Sequence, residues 1–218
     1  MRLDMKVVIT GSSSGIGKAI ALKFLSCGHL VVGVDILNAT IKHKNYTHIV
    51  ADICGELPEI AGVEILINNA GVQDSGRDID VNLKGTVAVT EKYAIQPAIK
   101  SVVFIASASA ETGSEFPEYA ASKGGVVAYM KNVALRIAKW GATSNSLSPG
   151  GVLTPLNQHV IDNPELWQKV MDETPLKKWA TSEEIAEWTY FVAVVNKSMT
   201  AQNILIDNGE AARANFIW

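Results

Sequence analysis

The sequence predicts one α/β domain built on a doubly wound parallel sheet of about seven strands. Apolar runs of strand length alternate with segments of helical pattern along the 218 residues. Hydrophobic residues make up 48% and charged residues 19%, a balance that suits a parallel sheet buried on both faces. No repeat, linker or shift in composition divides the chain. We therefore expect a single domain over residues 1–218.

The predicted strands are short apolar runs. They are Lys6–Thr10, Leu30–Asp35, His48–Ala51, Ile65–Asn68, Ser101–Ser107, Asn145–Ser148 and Asn203–Asp207. The predicted helices begin near Gly15, Val81, Tyr119, Pro164 and Ser182. This alternation favours right-handed crossovers and places a ligand at the carboxyl ends of the strands.

Two connections are short for such a fold. Only 15 residues separate Asp52 from Asn68, and only 12 separate Asn69 from Asn82. A parallel crossover normally needs a dozen or more residues. We therefore expect the first connection to keep a helix of one or two turns. The segment Gly71–Asp80 is predicted to be a short loop that leaves the neighbouring cleft open.

A glycine-rich turn, Thr-Gly-Ser-Ser-Ser-Gly-Ile-Gly, follows the first strand at Thr10–Gly17. Such glycines allow a tight turn, a close approach of the backbone to a pyrophosphate, and packing of the next helix, whose N-terminus attracts phosphate. Asp35 ends the second strand, where a carboxylate binds ribose hydroxyls and repels a 2′-phosphate. These features predict a dinucleotide site that prefers NAD(H) over NADP(H). The alternatives are an ordinary glycine turn and a solvated strand-end carboxylate.

Tyr119 and Lys123 stand four residues apart in Tyr-Ala-Ala-Ser-Lys. On a helix this spacing puts both side chains on one face. A neighbouring ammonium favours phenolate and would lower the pKa of Tyr119 below its usual value of about 10. The pair therefore predicts an acid or base, although each residue alone is commonplace in a helix.

These separate motifs resemble those of the short-chain dehydrogenase/reductase family. Asn82, Ser107, Tyr119 and Lys123 stand in the order of its catalytic tetrad. The other matching segments are Thr10–Gly17, Asn68-Asn69-Ala70-Gly71, Pro149–Thr154, Thr200-Ala201-Gln202 and Asp207-Asn208-Gly209. The resemblance implies a Rossmann-like fold and hydride transfer between an alcohol and a ketone.

The resemblance also implies a role for each member of the tetrad. Tyr119 would move the proton, and Lys123 would lower its pKa and hold the nicotinamide ribose. Ser107 would bind the substrate oxygen, and Asn82 would fix a water behind Lys123. Ser107 and Ser109 stand 12 and 10 residues before Tyr119, so both are candidates. We choose Ser107 because it closes an apolar strand.

The positions that match the family's cofactor site lie in several segments. They are Gly11, Ser13, Ser14, Gly15, Ile16, Gly17, Asp35, Ile36, Asp52, Ile53, Asn69, Ala70, Gly71, Tyr119, Lys123, Pro149, Gly150, Val152 and Thr154. Ser14 stands where relatives that use NADP often carry a basic residue. Asp52 and Ile53 resemble the pair beside adenine, although Asp52 could equally cap a turn.

The family resemblance implies a variable lid over the substrate at about residues 155–178 and a homo-oligomer, either tetramer or dimer. The substrate would be a small-molecule alcohol or carbonyl compound. One alternative is a 3-oxoacyl-thioester reductase. Another is a non-catalytic dinucleotide-binding regulator, which would have no need for the tetrad. The apolar ending Phe216-Ile217-Trp218 is expected to dock on the body or on a neighbour.

Charge and hydropathy argue against other classes of partner. The formal charge is −3 from 19 basic and 22 acidic residues, without a basic run, so no nucleic-acid or anionic-membrane surface is indicated. The apolar run Val7–Ile9 is too short for a signal sequence or a membrane span, which predicts a cytoplasmic location. The four histidines have no metal-ligand spacing, and no metal is expected.

Overall fold

A computed structural model of the chain describes residues 4–114 and 116–212. Its strands are β1 (Lys6–Thr10), β2 (Leu30–Asp35), β3 (Tyr46–Val50), β4 (Ile65–Asn68), β5 (Ser101–Ile105), β6 (Thr143–Pro149), β7 (Val152–Leu153), β8 (Ala180–Thr181) and β9 (Asn203–Ile206). Seven of them form a parallel sheet in the order β3-β2-β1-β4-β5-β6-β9, and β7 pairs with β8. The predicted seven-stranded fold is confirmed. The ending Phe216-Ile217-Trp218 lies outside the described residues.

The helices lie where the sequence predicts them and include short additional turns. They are α1 (Gly15–Ser26), α2 (Thr86–Tyr93), α3 (Ser109–Thr112), α4 (Pro117–Ile137), α5 (Gln158–Ile161), α6 (Pro164–Glu173) and α7 (Ser182–Tyr190). A π-helical segment, Ile79–Gly85, leads into α2, and another, Phe191–Val195, follows α7. No helix in the described part of the chain is long and apolar enough to cross a membrane.

The two faces of the sheet carry separate cores because successive strand residues point to opposite sides. In β1, Val7 and Ile9 pack with Phe24 of α1 and Ala186 of α7. Val8 faces the other way and packs with residues of α2 and α4. Val7, Val8 and Ile9 are all fully buried. The sheet is therefore covered on both sides, and its carboxyl edge is left to form the site.

The connection from β3 to β4, residues 51–64, has no helix. The prediction of a helix of one or two turns in this connection is therefore wrong. A helix advances only about 1.5 Å per residue against about 3.3 Å for extended chain, so this short connection must stay extended to return along the sheet. Side chains of α2 bind its carbonyls: Lys92 Nζ donates to Leu57 O at 2.7 Å, and Tyr93 Oη donates to Pro58 O at 2.5 Å.

The segment after Gly71 is a loop, as predicted, but it ends earlier than expected. No helix lies between Gly71 and Arg77, and the π-helical segment begins at Ile79. Asp78 closes the loop by accepting hydrogen bonds from the backbone N–H groups of Asp74 and Ser75, both at 2.9 Å. The short connection thus gives a tight loop beside the carboxyl edge of the sheet.

Candidate active site

The glycine-rich turn is locked to the motif that follows β4. Thr10 Oγ1 accepts the backbone N–H groups of Asn69 and Ala70 at 3.0 and 3.1 Å, and Asn69 Nδ2 donates to the carbonyls of Thr10 and Gly11. Gly11 has φ +70°, and a Cβ there would lie 2.9 Å from the Ala70 Cα. A Cβ at Gly17 would overlap the Gly11 carbonyl. The glycines are therefore required by close backbone approaches.

The N-terminus of α1 faces the carboxyl edge of the sheet. Ser14 precedes the helix in an extended conformation, and its side chain does not cap it. The first N–H groups of the helix and its positive dipole end suit a phosphate. Asp35 lies beside the turn: its Oδ2 accepts Ser13 N–H and its Oδ1 accepts Leu37 N–H, both at 2.9 Å. Ile36 next to it is 67% exposed. These residues fit the adenosine half of a dinucleotide.

Asp52 takes part in a turn directly after β3. Its Oδ1 accepts Cys54 N–H at 2.8 Å, and this hydrogen bond, assisted by Arg77 3.6 Å away, holds the pKa of Asp52 below its usual range. Asp52 therefore caps this turn, which is the alternative that the sequence left open. Ile53 is 5% exposed, and an ideal Cβ on Gly85 would lie 2.9 Å from its side chain. Contact of Asp52 and Ile53 with adenine stays a prediction.

Lys123 reaches the end of β5 from α4. Its Nζ donates to Ile105 O at 3.0 Å and lies 5.6 Å from the centroid of the Tyr119 ring. Burial lowers the pKa of Lys123 to about 8, and the negative charge of Asp78 opposes this shift. An ideal Cβ on Gly71 would lie 3.3 Å from Nζ, so this glycine makes room for the ammonium. The lysine, the tyrosine ring and the mid-sheet motif therefore meet at one place.

Asn82 joins the loop after Gly71 to α4. Its Oδ1 accepts Val72 N–H at 2.8 Å, and its Nδ2 donates to Val72 O and to Ser122 Oγ. Ser122 Oγ in turn donates to the backbone carbonyl of Tyr119 at 2.7 Å. Asn82 is 1% exposed. It thus connects the loop to the first turns of the helix that carries Tyr119 and Lys123.

Ser107 and Ser109 are both buried and share a hydrogen bond. Ser107 Oγ donates to Ser109 Oγ at 3.2 Å and accepts Ser109 N–H at 3.2 Å. Strand β5 ends at Ile105, two residues earlier than predicted, so Ser107 follows the strand and Ser109 begins α3. The choice between the two serines as the substrate-binding hydroxyl stays a prediction.

The segment Pro149–Thr154 crosses the edge of the sheet beside the glycine turn. Gly150 N–H donates to Ile206 O at 3.1 Å, and an ideal Cβ on Gly15 would lie 3.5 Å from the Thr154 methyl group. Val152 is buried. The segment is thereby placed next to the helix end that would hold the pyrophosphate.

Residues 58–210, more than half of the chain, match a family model described as enoyl-(acyl carrier protein) reductase. The chain belongs to the short-chain dehydrogenase/reductase family. A 3-oxoacyl-(acyl-carrier-protein) reductase from Buchnera aphidicola is 30% identical, with 92% of this chain and 94% of that protein covered. A glucose 1-dehydrogenase from Gluconobacter oxydans is 28% identical over 97% of this chain and 93% of that protein.

Solved structures of family members superpose closely. A 4-hydroxyisoleucine dehydrogenase with NADH has a TM-score of 0.87 and 25% identity, covering 96% of this chain and 100% of that one. A proposed 2-deoxy-D-gluconate 3-dehydrogenase from Agrobacterium tumefaciens with bound NADP has a TM-score of 0.86 and 25% identity. The match covers 96% of this chain and 97% of that one. The chain is thus a short-chain oxidoreductase that uses a nicotinamide dinucleotide and interconverts an alcohol and a ketone.

Two polar residues of this dehydrogenase/reductase site were not predicted. Ser122 was hidden inside the Tyr-Ala-Ala-Ser-Lys motif, although its position three residues after Tyr119 places it near the same face. Glu210 accepts a hydrogen bond from Thr174 Oγ1 at 2.9 Å, and burial raises the pKa of this carboxyl group. Its Oε2 would lie 2.7 Å from a Cβ on Gly150. A lone glutamate near the end of the chain carries no signal of such a contact.

The segment predicted as a lid, about residues 155–178, contains α5 and α6. Trp167 of α6 packs edge-on against Trp179, with ring centroids 5.2 Å apart. Thr174 bonds Glu210, and Leu176 N–H donates to Asn208 O at 3.2 Å. The base of the segment is therefore attached to the residues that follow β9. Its function as a lid stays a prediction.

Proposed function

We propose that the protein prefers NAD(H) and that Tyr119 is the general acid and base for a small-molecule alcohol or carbonyl substrate. The observation that carries this proposal is the meeting of the Tyr119 ring, Lys123 Nζ and Gly71 at the carboxyl edge of the sheet. Gly71 ends the motif that is hydrogen-bonded to the glycine turn. This proximity supports acid–base and cofactor-binding roles at one place on the sheet edge.

The chain's own residues would handle the proton. In the oxidation direction the substrate hydroxyl proton passes to Tyr119, and in the reduction direction Tyr119 returns it to the carbonyl oxygen. When bound, the nicotinamide accepts or supplies the hydride. Near pH 7 Lys123 is mainly protonated because its pKa is about 8, and its charge stabilises the phenolate. Ser107 is proposed to bind the substrate oxygen. Asn82 is proposed to fix a water behind Lys123, and its hydrogen bond to Ser122 supports a place beside α4.

Asp35 supports the preference for NAD(H). Its oxygens are held by Ser13 N–H and Leu37 N–H, which keeps the carboxylate at the edge of the adenosine site. A 2′-phosphate there would meet a like charge, which costs several kcal/mol when the two groups are juxtaposed. Asp35→Ala is expected to lower the ratio of kcat/KM with NAD to kcat/KM with NADP by at least about tenfold. An unchanged ratio would remove Asp35 from this role.

A 3-oxoacyl-thioester reductase is the second candidate, favoured by the name of the Buchnera aphidicola relative. A panel of sugars, hydroxy acids, secondary alcohols and 3-oxoacyl thioesters of coenzyme A, each assayed with both cofactors, separates the two. Highest kcat/KM with a thioester would favour the alternative. Turnover of no compound together with no binding of NADH would contradict the proposal as a whole.

We also propose a homo-oligomer, a tetramer or a dimer, acting in the cytoplasm. Trp188 and Phe191 support the assembly, because they are 45% and 46% exposed and pack edge-on against each other beside the end of α7. Light scattering on the purified protein measures the assembly directly, and a monomer at working concentration would overturn it.

A further inference from the structure

The connection between β2 and β3, residues 36–45, contains no helix and is bound to the glycine-rich turn by side chains. Ser13 Oγ donates to Asn38 O at 3.1 Å. Thr40 Oγ1 donates to Ser13 O at 2.7 Å. Ile41 is buried against the core beneath. The connection, which we call the β2–β3 strap, therefore lies across the edge of the adenosine site in a defined conformation.

A second set of contacts reaches the strap from β3. Ser12 Oγ lies 3.0 Å from Tyr46 Oη, Tyr46 Oη lies 2.9 Å from His48 Nδ1, and His48 Nε2 lies 2.9 Å from Leu37 O. A carbonyl oxygen only accepts, so His48 Nε2 is the donor to Leu37. In the neutral imidazole Nδ1 is then the acceptor, so Tyr46 donates to it and Ser12 donates to Tyr46. The hydrogen bonds are therefore donated in one direction, from the glycine-rich turn to the strap.

Gly33, in the middle of β2, leaves room for these hydrogen-bonded side chains. A Cβ on Gly33 would overlap both Ser12 Oγ and Tyr46 Oη, so glycine is needed where the two hydroxyl groups meet. Burial raises the pKa of Tyr46, which keeps its hydroxyl protonated and able to donate. The turn after β1 and strand β3 thus supply the hydrogen-bonding side chains, and β2 supplies the space in which they meet.

Leu37 connects these hydrogen-bonded side chains to Asp35. Its N–H donates to Asp35 Oδ1 and its carbonyl accepts from His48, so the residue is held from both sides. Asp35 Oδ2 accepts Ser13 N–H. For the carboxylate to withdraw from a 2′-phosphate, the strap must move and these hydrogen bonds must break. The cost of that movement adds to the direct repulsion between the two anions.

We propose that Tyr46 and His48 are positioning residues for cofactor choice, holding the β2–β3 strap and Asp35 in the arrangement that excludes the 2′-phosphate of NADP. This inference rests on the proposed preference for NAD(H). It differs from a purely structural role, in which loss of the contacts would weaken the fold and the binding of both cofactors alike.

The test is isothermal titration calorimetry of the protein with NADH and with NADPH. The variants are Tyr46→Phe and His48→Phe, each of which removes a different hydrogen-bonding side-chain group from the series Ser12, Tyr46, His48 and Leu37. Thr47→Val is the matched control, because Thr47 is exposed and its side chain points to the other face of β3. The readout is the ratio of the Kd for NADPH to the Kd for NADH, which general destabilisation does not move.

The ratio is expected to fall about three- to tenfold in both variants, the equivalent of one net hydrogen bond, and to stay unchanged in Thr47→Val. A ratio equal to that of the wild type in both variants, or an equal loss of affinity for both cofactors, would overturn the inference alone. A wild-type protein that binds NADH and NADPH equally would overturn the proposed NAD preference, and the inference with it.

Discussion

Replacing Lys123 by methionine is expected to stabilise the protein near pH 7 while removing its activity. Lys123 is 6% exposed, and burial lowers its pKa from the usual 10.5 to about 8. That difference corresponds to a cost of roughly 3 kcal/mol for carrying the charge in the folded state. Methionine has a similar length and no charge, and it gives up the hydrogen bond to Ile105 O, worth about 1 kcal/mol. The expected net gain in the free energy of unfolding is about 2 kcal/mol.

The sign of the effect depends on pH. Below a pH of about 8 both the folded and the unfolded chain carry the Lys123 proton, so the cost is fully present. Above that value the folded state loses the proton while the unfolded state keeps it up to a pH of about 10.5. The wild type therefore gains stability across this window, and the Lys123→Met variant does not gain it.

Urea unfolding of both proteins near pH 7 and near pH 10, at one protomer concentration, measures this difference. The advantage of Lys123→Met is expected to shrink by about 2–3 kcal/mol between the two conditions. A variant less stable than the wild type near pH 7, or an advantage that does not change with pH, would refute the account of a buried charge at this position.

Two other predictions concern the turn and the serines. Gly17→Ala is expected to lower the free energy of unfolding by about 1–3 kcal/mol, because its methyl group meets the Gly11 carbonyl. Gly124→Ala, where a methyl group meets nothing within 4 Å, is the control in urea unfolding; equal losses would contradict the close approach. Ser107→Ala is expected to lower kcat about 10²-fold and Ser109→Ala much less. The reverse order in steady-state assays would assign the substrate oxygen to Ser109.

Elements with strong local signals were predictable from sequence. The bounds of β1, β2 and β4 are those predicted, because each apolar run ends at a polar residue of the carboxyl edge. Helix α4 begins at Pro117, two residues before Tyr119, since proline suits the first helical position. The four-residue spacing of Tyr119 and Lys123 likewise places Lys123 Nζ 5.6 Å from the centroid of the Tyr119 ring.

Features that depend on contacts between distant segments were not predictable. The missing helix in residues 51–64 follows from the length of the return path and from carbonyl contacts with Lys92 and Tyr93. Ser122 and Glu210 are single polar residues whose partners become neighbours only in the folded chain. The same holds for the Tyr46 and His48 contacts with the strap, which no spacing in the sequence indicates.

The most direct test of the account compares Tyr119→Phe with the wild type in two measurements on the same preparations: NADH binding by calorimetry, and turnover of the best substrate from the panel. The variant lacks only the phenolic oxygen, so its Kd for NADH is expected to stay within about twofold while kcat falls by about 10²- to 10⁴-fold, the usual contribution of a positioned acid or base. Turnover close to that of the wild type, with NADH binding intact, would contradict the central claim that Tyr119 moves the proton.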